Sequence, residues 1–261
     1  MRKPNLFLVG APKAGSSLLW TMLKEHKDIF FSTNPEKEIN YFSYDELTHN
    51  SYYKDYKVKS EYDYLRVFKK GQSVKYLVDG SVSYFAYPSI PKKLYEFNSD
   101  AKIIVIVRDP VLRAFSHYNM DKRMGYVTEP FSKYLMNKDN KYDQYLHQYI
   151  ENSLYYKHVN NYLEYFDRLC KFLDIEKLEL KSDNERINAN KIPTNIISRT
   201  LQHNRYLATI LKKIIPRKIV RSFNFLLYKK AENVQLKEVE KLLLEQYLNE
   251  DYLKFNKRYI Q

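Results

Sequence analysis

The stretch LFLVGAPKAGSSLLWTML, Leu6 to Leu23, constrains this chain more than any other. An apolar strand runs into a turn bracketed by Gly10 and Gly15, and an apolar helix follows from Ser16. Such a turn gathers backbone N–H groups at a helix N-terminus, where unpaired donors and the helix dipole favour an anion. The sequence predicts that the amides of Ala14, Gly15, Ser16, Ser17 and Leu18 hold a phosphate. The nucleotide-hydrolase pattern G-x-x-x-x-G-K-[ST] is not met, because Ser16 stands where its lysine belongs. The lysine has moved inside the loop, to Lys13. On the loop alone, an ordinary strand–turn–helix with incidental glycines stays open.

A second constraint is AKIIVIVRDP. Its β-branched run Ile103–Val107 predicts a strand buried on both faces of a parallel sheet, with a helix from Val111. Further strands are predicted at Leu6–Val9, Ile29–Ser32 and Lys75–Asp79, with helices over Ser16–His26 and Ile90–Phe97. Strands alternating with helices give an α/β fold: a P-loop-like central parallel sheet flanked by helices. Beyond Phe131 the apolar spacing is helical, so the C-terminal half is expected to be helical. No linker or repeat divides the chain, which reads as a single domain over residues 1–261. Ligands of such sheets bind at the carboxyl ends of strands, which puts the Gly10–Ser17 loop and Arg108–Asp109 on one rim. Where a metal-binding acid would suit a magnesium–nucleotide site, the strand ends in Arg108. Asp109 reads as a helix N-cap or a partner of Arg113. Charge neutralisation by cations and amides, with no metal, is the expectation.

Charge is uneven. Of the net +13, eleven positive charges and no acid lie between Arg186 and Ala231, leaving +2 for the rest. That region suits an anionic partner or is a solvated basic face. Its stretch 205–230 suggests peripheral membrane contact, and Lys191 and Arg199 a flap over a nucleotide. The aromatic–basic modules of nucleic-acid readers are missing, so no nucleic-acid partner is expected. The single cysteine, Cys170, rules out an internal disulfide framework. With no leader-like or membrane-spanning run, a cytoplasmic location is expected.

VGAPKAGSSLLWTML resembles the 5′-phosphosulfate loop of sulfotransferases that use 3′-phosphoadenosine 5′-phosphosulfate (PAPS). IVIVRDPVLRAFSHY is similar to their 3′-phosphate segment, with Arg108 and Ser116 in the contacting places. PEKEINYFSY resembles the segment that carries the catalytic glutamate in heparan-sulfate-type and bacterial members, with Glu38 as the base. The resemblance implies sulfuryl transfer from PAPS to a hydroxyl or amine, with adenosine 3′,5′-bisphosphate as product and Lys13 stabilising the charge that builds. It also implies a carbohydrate acceptor and an active-site or substrate contact at Asp79, while the basic stretch suggests that the acceptor is lipid-linked. Two departures stand out. Gly80 occupies a place where some members carry lysine, and the stretch at Asp167–Lys171 is shorter than in relatives. The rival expectations are a P-loop nucleotide-dependent kinase and a non-catalytic polyanion-binding protein.

Overall fold

The computed structural model describes residues 1–32, 38–50, 58–136, 143–165, 191–193, 228–230 and 235–260. Strand β1 (Leu6–Gly10) leads through the glycine-bracketed loop into α1 (Ser16–Leu23), and β2 (Ile29–Phe31) follows. After α2 (Tyr44–Asn50) and α3 (Glu61–Arg66) come β3 (Tyr76–Asp79), a 3₁₀ turn over Val82–Ala86, α4 (Ile90–Phe97) and β4 (Lys102–Val105). The helices α5 (Pro110–Met124), α6 (Phe131–Met136), α7 (Asp143–Tyr149) and α8 (Tyr155–Leu163) then run in succession. A short antiparallel pair joins β5 (Lys191–Pro193) to β6 (Tyr228–Lys230), and the chain closes with α9 (Glu238–Tyr259).

The four main strands are all parallel, in the order β2-β3-β1-β4. This is the α/β fold the sequence predicts, and the described residues beyond Phe131 are mostly helical. The strand buried on both faces is a different one from that expected. Every residue of β1 and of β3 is buried. In β4 only Ile103 is, because among the described residues β4 has a neighbour on one side alone. A β-branched run signals a strand but does not report its place in the order. The boundaries of α4 match the expectation at both ends, whereas α1 stops at Leu23, three residues early.

The rim is set by register. Beyond the strands, Ala11 N–H donates to the Ile106 carbonyl (2.8 Å) and Ile106 N–H to the Gly10 carbonyl (2.7 Å). The loop after β1 and the chain after β4 therefore leave the sheet side by side. Beneath them, Phe7, Phe42, Tyr64, Tyr84, Phe85, Tyr155 and Tyr162 share one core with Phe255 of α9. Tyr118, Phe131, Tyr134 and Tyr149 form a second with Leu244 and Leu248. Helix α9 reaches both, so the C-terminal helix fastens the sheet to the helical half. Burying each such ring is worth about 1.5–3 kcal/mol. A buried tyrosine also needs a partner for its hydroxyl. Tyr64 and Tyr84 donate to Asp79, Tyr149 donates to Asp121, and Tyr162 donates to the Tyr84 carbonyl.

Most of the basic stretch 205–230, together with Arg199, Asp167–Lys171 and residues 33–37 just before Glu38, lies outside the described residues. No helix among those described is long and apolar enough to cross a membrane.

Gly10 has no room for a side chain: a Cβ there would fall on the Phe85 Cβ and ring. Gly10→Ala should therefore cost about 1–3 kcal/mol through overpacking, read as a lowered urea midpoint. An unchanged midpoint would show that the Phe85 turn yields freely.

Candidate functional site

Two glycine-like backbone turns shape the loop between β1 and α1. Lys13 lies at φ 69° and Gly15 at φ 114°. Gly15 takes that angle without steric cost, while a lysine there is uncommon and marks an imposed shape. Two arginines impose it. Arg113 Nη1 donates to the Pro12 carbonyl (3.3 Å), and Arg108 Nη1 to the Lys13 carbonyl (3.2 Å). Successive loop carbonyls are thus held by guanidinium groups.

Helix α1 opens at Gly15 without a side-chain cap. Two of the five amides expected to meet an anion are engaged within the loop. Ala14 N–H donates to the Ala11 carbonyl (3.1 Å) and Leu18 N–H to the Gly15 carbonyl (2.9 Å). The helix's positive end is carried by the amides of Gly15, Ser16 and Ser17. Gly15 is exposed there, and the Leu18 side chain stands at the rim 53% exposed.

Lys13 points inward. Its Nζ approaches Met120 Sδ on α5 at 3.5 Å. Burial pulls the ammonium pKa down from 10.5 to about 8, Arg123 and Arg113 add to the effect, and Asp121 and Glu38 oppose it. Glu38 therefore lies within electrostatic reach of Lys13. Arg108 is exposed on the rim, and Asp109 caps α5 by accepting from Leu112 N–H (2.7 Å), with Pro110 starting the helix. Ser116 is half-buried on α5. It shares the helix face of Arg113 and Met120, three and four residues away, and both of those touch the loop. Lys13, Glu38, Arg108 and Ser116 are thus brought to one end of the sheet.

Asp79 is placed differently from the substrate contact implied by resemblance. It is 0% exposed, and accepts from Ser81 N–H (3.0 Å), Ser81 Oγ–H, Tyr64 Oη–H (2.9 Å) and Tyr84 Oη–H (2.8 Å). Burial raises its pKa while these donors work against the rise. In this structure the carboxylate faces protein, not an acceptor.

The sequence reading treated Arg113 only as a possible partner of Asp109. It is fully buried and carries the loop. Nε donates to Ser153 Oγ (2.6 Å), Nη2 to the carbonyls of Gln148 (2.7 Å) and Tyr149 (2.8 Å), and Nη1 also reaches His117 Nδ1 (3.2 Å). Burial and the Arg113 charge keep His117 neutral, its pKa well below the usual value. Nδ1 can then accept from the guanidinium. Arg113, Ser116, Met120 and Arg123 recur at helical spacing, which was the available signal for this face. Among the described residues no three His, Cys, Asp or Glu side chains gather as a metal site.

An uncapped helix mouth, an inward lysine, a rim arginine and a nearby carboxylate define an anion-handling α/β protein. The sequence profile of the sulfotransferase domain matches residues 3–186, and the chain belongs to that family. It is 25% identical over 167 residues to human heparan sulfate glucosamine 3-O-sulfotransferase 5, covering 62% of this chain and 45% of that protein. Against the bifunctional heparan sulfate N-deacetylase/N-sulfotransferase 1 of Caenorhabditis elegans, identity is 24% over 186 residues, 68% of this chain and 20% of that one. The chain thus spans under half the length of these two curated relatives. The fold matches the crystal structure of a sulfotransferase from Alicyclobacillus acidocaldarius with a TM-score of 0.65, over 98% of this chain and 96% of that one at 23% identity.

The lowered Lys13 pKa has a measurable consequence. A bound anion favours the ammonium, so affinity should be full below pH 8 and fall as pH rises through about 8. Calorimetry of adenosine 3′,5′-bisphosphate in two buffers of different ionisation heat should show proton uptake near pH 8, abolished in Lys13→Ala. Equal uptake in the variant would assign the titration elsewhere.

Proposed function

We propose that this protein transfers a sulfuryl group from PAPS to a hydroxyl or amine of a carbohydrate acceptor. The observation that carries the reading is Lys13, held inside the loop with Glu38 in electrostatic reach and Arg108 on its own carbonyl. The donor supplies an activated sulfuryl group on a nucleotide with a phosphate at each end, and the residues fit those charges. Gly15–Ser17 amides and the Ser16 and Ser17 hydroxyls suit the 5′-phosphate. Arg108 offers a planar fork for the 3′-phosphate, and Ser116 adds a hydroxyl from the adjoining helix. Lys13 stabilises the negative charge that builds as the sulfuryl group leaves the nucleotide. Glu38 takes the proton from the attacking acceptor group. Family membership sets aside the kinase reading, which lacks the lysine next to the hydroxyl residue.

The carbohydrate class of acceptor is supported by the relatives that are heparan sulfate enzymes by name. A lipid-linked glycan, with membrane contact through 205–230, rests on charge pattern alone. Salt-insensitive liposome binding would dispose of it.

Three measurements test the assignment. Glu38→Gln should lower turnover about 10²- to 10⁴-fold while leaving bisphosphate affinity unchanged. Arg108→Ala should weaken bisphosphate binding about 10- to 100-fold, the worth of a charge-assisted bond. EDTA should alter neither. Wild-type turnover by Glu38→Gln would remove Glu38 as the base, and ATP–Mg²⁺ binding in preference to the bisphosphate would restore the kinase.

A further inference from the structure

Asp79 lies buried, some distance in sequence from Glu38, yet its contacts lead back to the chain that follows Glu38. Its carboxylate only accepts, so each hydroxyl bonded to it must donate. Ser81 Oγ–H and Tyr84 Oη–H both point at Asp79, which leaves both oxygens as acceptors. Ser81 Oγ accepts from the N–H groups of Ile39 (3.0 Å) and Asn40 (2.9 Å). Tyr84 Oη accepts from Phe42 N–H (3.3 Å). Three of the four amides after Glu38 thus end on hydroxyls whose orientation the Asp79 charge dictates.

The segment is fixed from other sides as well. Asn40 sits at φ 57°, in the left-handed region, and its Oδ1 accepts from Ser83 Oγ–H (2.7 Å). Having given its proton there, Ser83 Oγ accepts from Ser43 Oγ–H (2.8 Å). Tyr41 stacks on Tyr64, itself a donor to Asp79, with centroids 4.5 Å apart. Glu38 enters this anchored segment directly, one bond before Ile39.

We infer that Asp79, acting through the Ser81 and Tyr84 hydroxyls, is a positioning residue that holds the Glu38 carboxylate in place for proton abstraction. The inference rests on Glu38 being the base. An uncharged, isosteric Asp79→Asn would present an NH₂ to one of the two hydroxyls and turn its proton toward a backbone N–H. Two donors would then meet, and the segment would shift. The phosphate loop and Arg108 are not part of this network, so nucleotide binding should be spared. Displacement of a reacting group by about 1 Å can cost on the order of 100-fold in rate.

The test measures kcat, acceptor KM and bisphosphate Kd for Asp79→Asn, Ser81→Ala and Ser81→Thr, each alone and in a Glu38→Gln background. We expect kcat of Asp79→Asn and Ser81→Ala to fall on the order of 10- to 100-fold, with Kd unchanged, and Ser81→Thr to recover most of the loss. In the Glu38→Gln background neither change should lower the residual rate further, because there is no base left to misplace. Ser81→Ala with wild-type kcat, or a full additional loss on top of Glu38→Gln, would overturn the inference. So would a fall in bisphosphate affinity matching the fall in rate. Should Asp79→Asn fail to fold, Ser81→Ala and its threonine rescue decide alone. Wild-type turnover by Glu38→Gln itself would instead overturn the assignment of the base.

Discussion

A guanidinium with no exposed surface joins the two halves of this protein. Arg113 spans from the Pro12 carbonyl in the loop after β1 to the carbonyls of Gln148 and Tyr149 at the end of α7, and to Ser153 just before α8. Taking such a charge out of water costs several kcal/mol, and only a full set of well-placed acceptors offsets it. The consequence is that loop and helical half cannot move apart without stranding a buried cation. Lysine could not replace it, since a point ammonium lacks the fork that reaches carbonyls on both sides. The left-handed turn at Lys13 persists on that footing.

The same site shows how a tyrosine-rich core disposes of its hydroxyls. Phenylalanine would fill the volume of Tyr64, Tyr84 or Tyr149 but bring no donor. Tyrosine brings one, which must be met inside the protein. Buried Asp79 and Asp121 meet them, and each acid lies close to the candidate chemistry: Asp121 acts on Lys13, and Asp79 on the segment after Glu38. Packing and charge placement are therefore one problem here. The rings that build the core also fix the direction of the bonds at the rim.

That coupling explains what the sequence could and could not reveal. Local periodicity located β1, β3 and α4, and the glycine-bracketed turn was legible because its signal is short-range. The rim residues Lys13, Arg108 and Ser116 came from strand ends and from resemblance. Arg113 did not, because apart from His117 on its own helix its side-chain partners lie 35 to 101 residues away, and helical spacing marks its face without naming them. Asp79 was noticed but given the wrong surroundings: an acid at a strand end looks alike whether it faces a cleft or three hydroxyls. That β4 pairs on one side alone among the described residues was illegible for the same reason, since β-branched content does not count neighbours.

The chemistry of the rim follows from an asymmetry in how its charges are held. Arg108 is exposed and anchored by one bond to a backbone carbonyl, so it can turn toward a ligand at small cost. Lys13 is the reverse: half-buried and turned inward, close to Arg123 and Arg113, and with its pKa already lowered. A cation in that state gains more from an incoming anion than a solvated one does, because the anion relieves repulsion that water only partly screens. Binding at the rim thus supplies what the inner lysine lacks. Under the proposed sulfuryl transfer, the largest gain falls where negative charge accumulates, beside Lys13, which is where catalysis requires the tighter interaction.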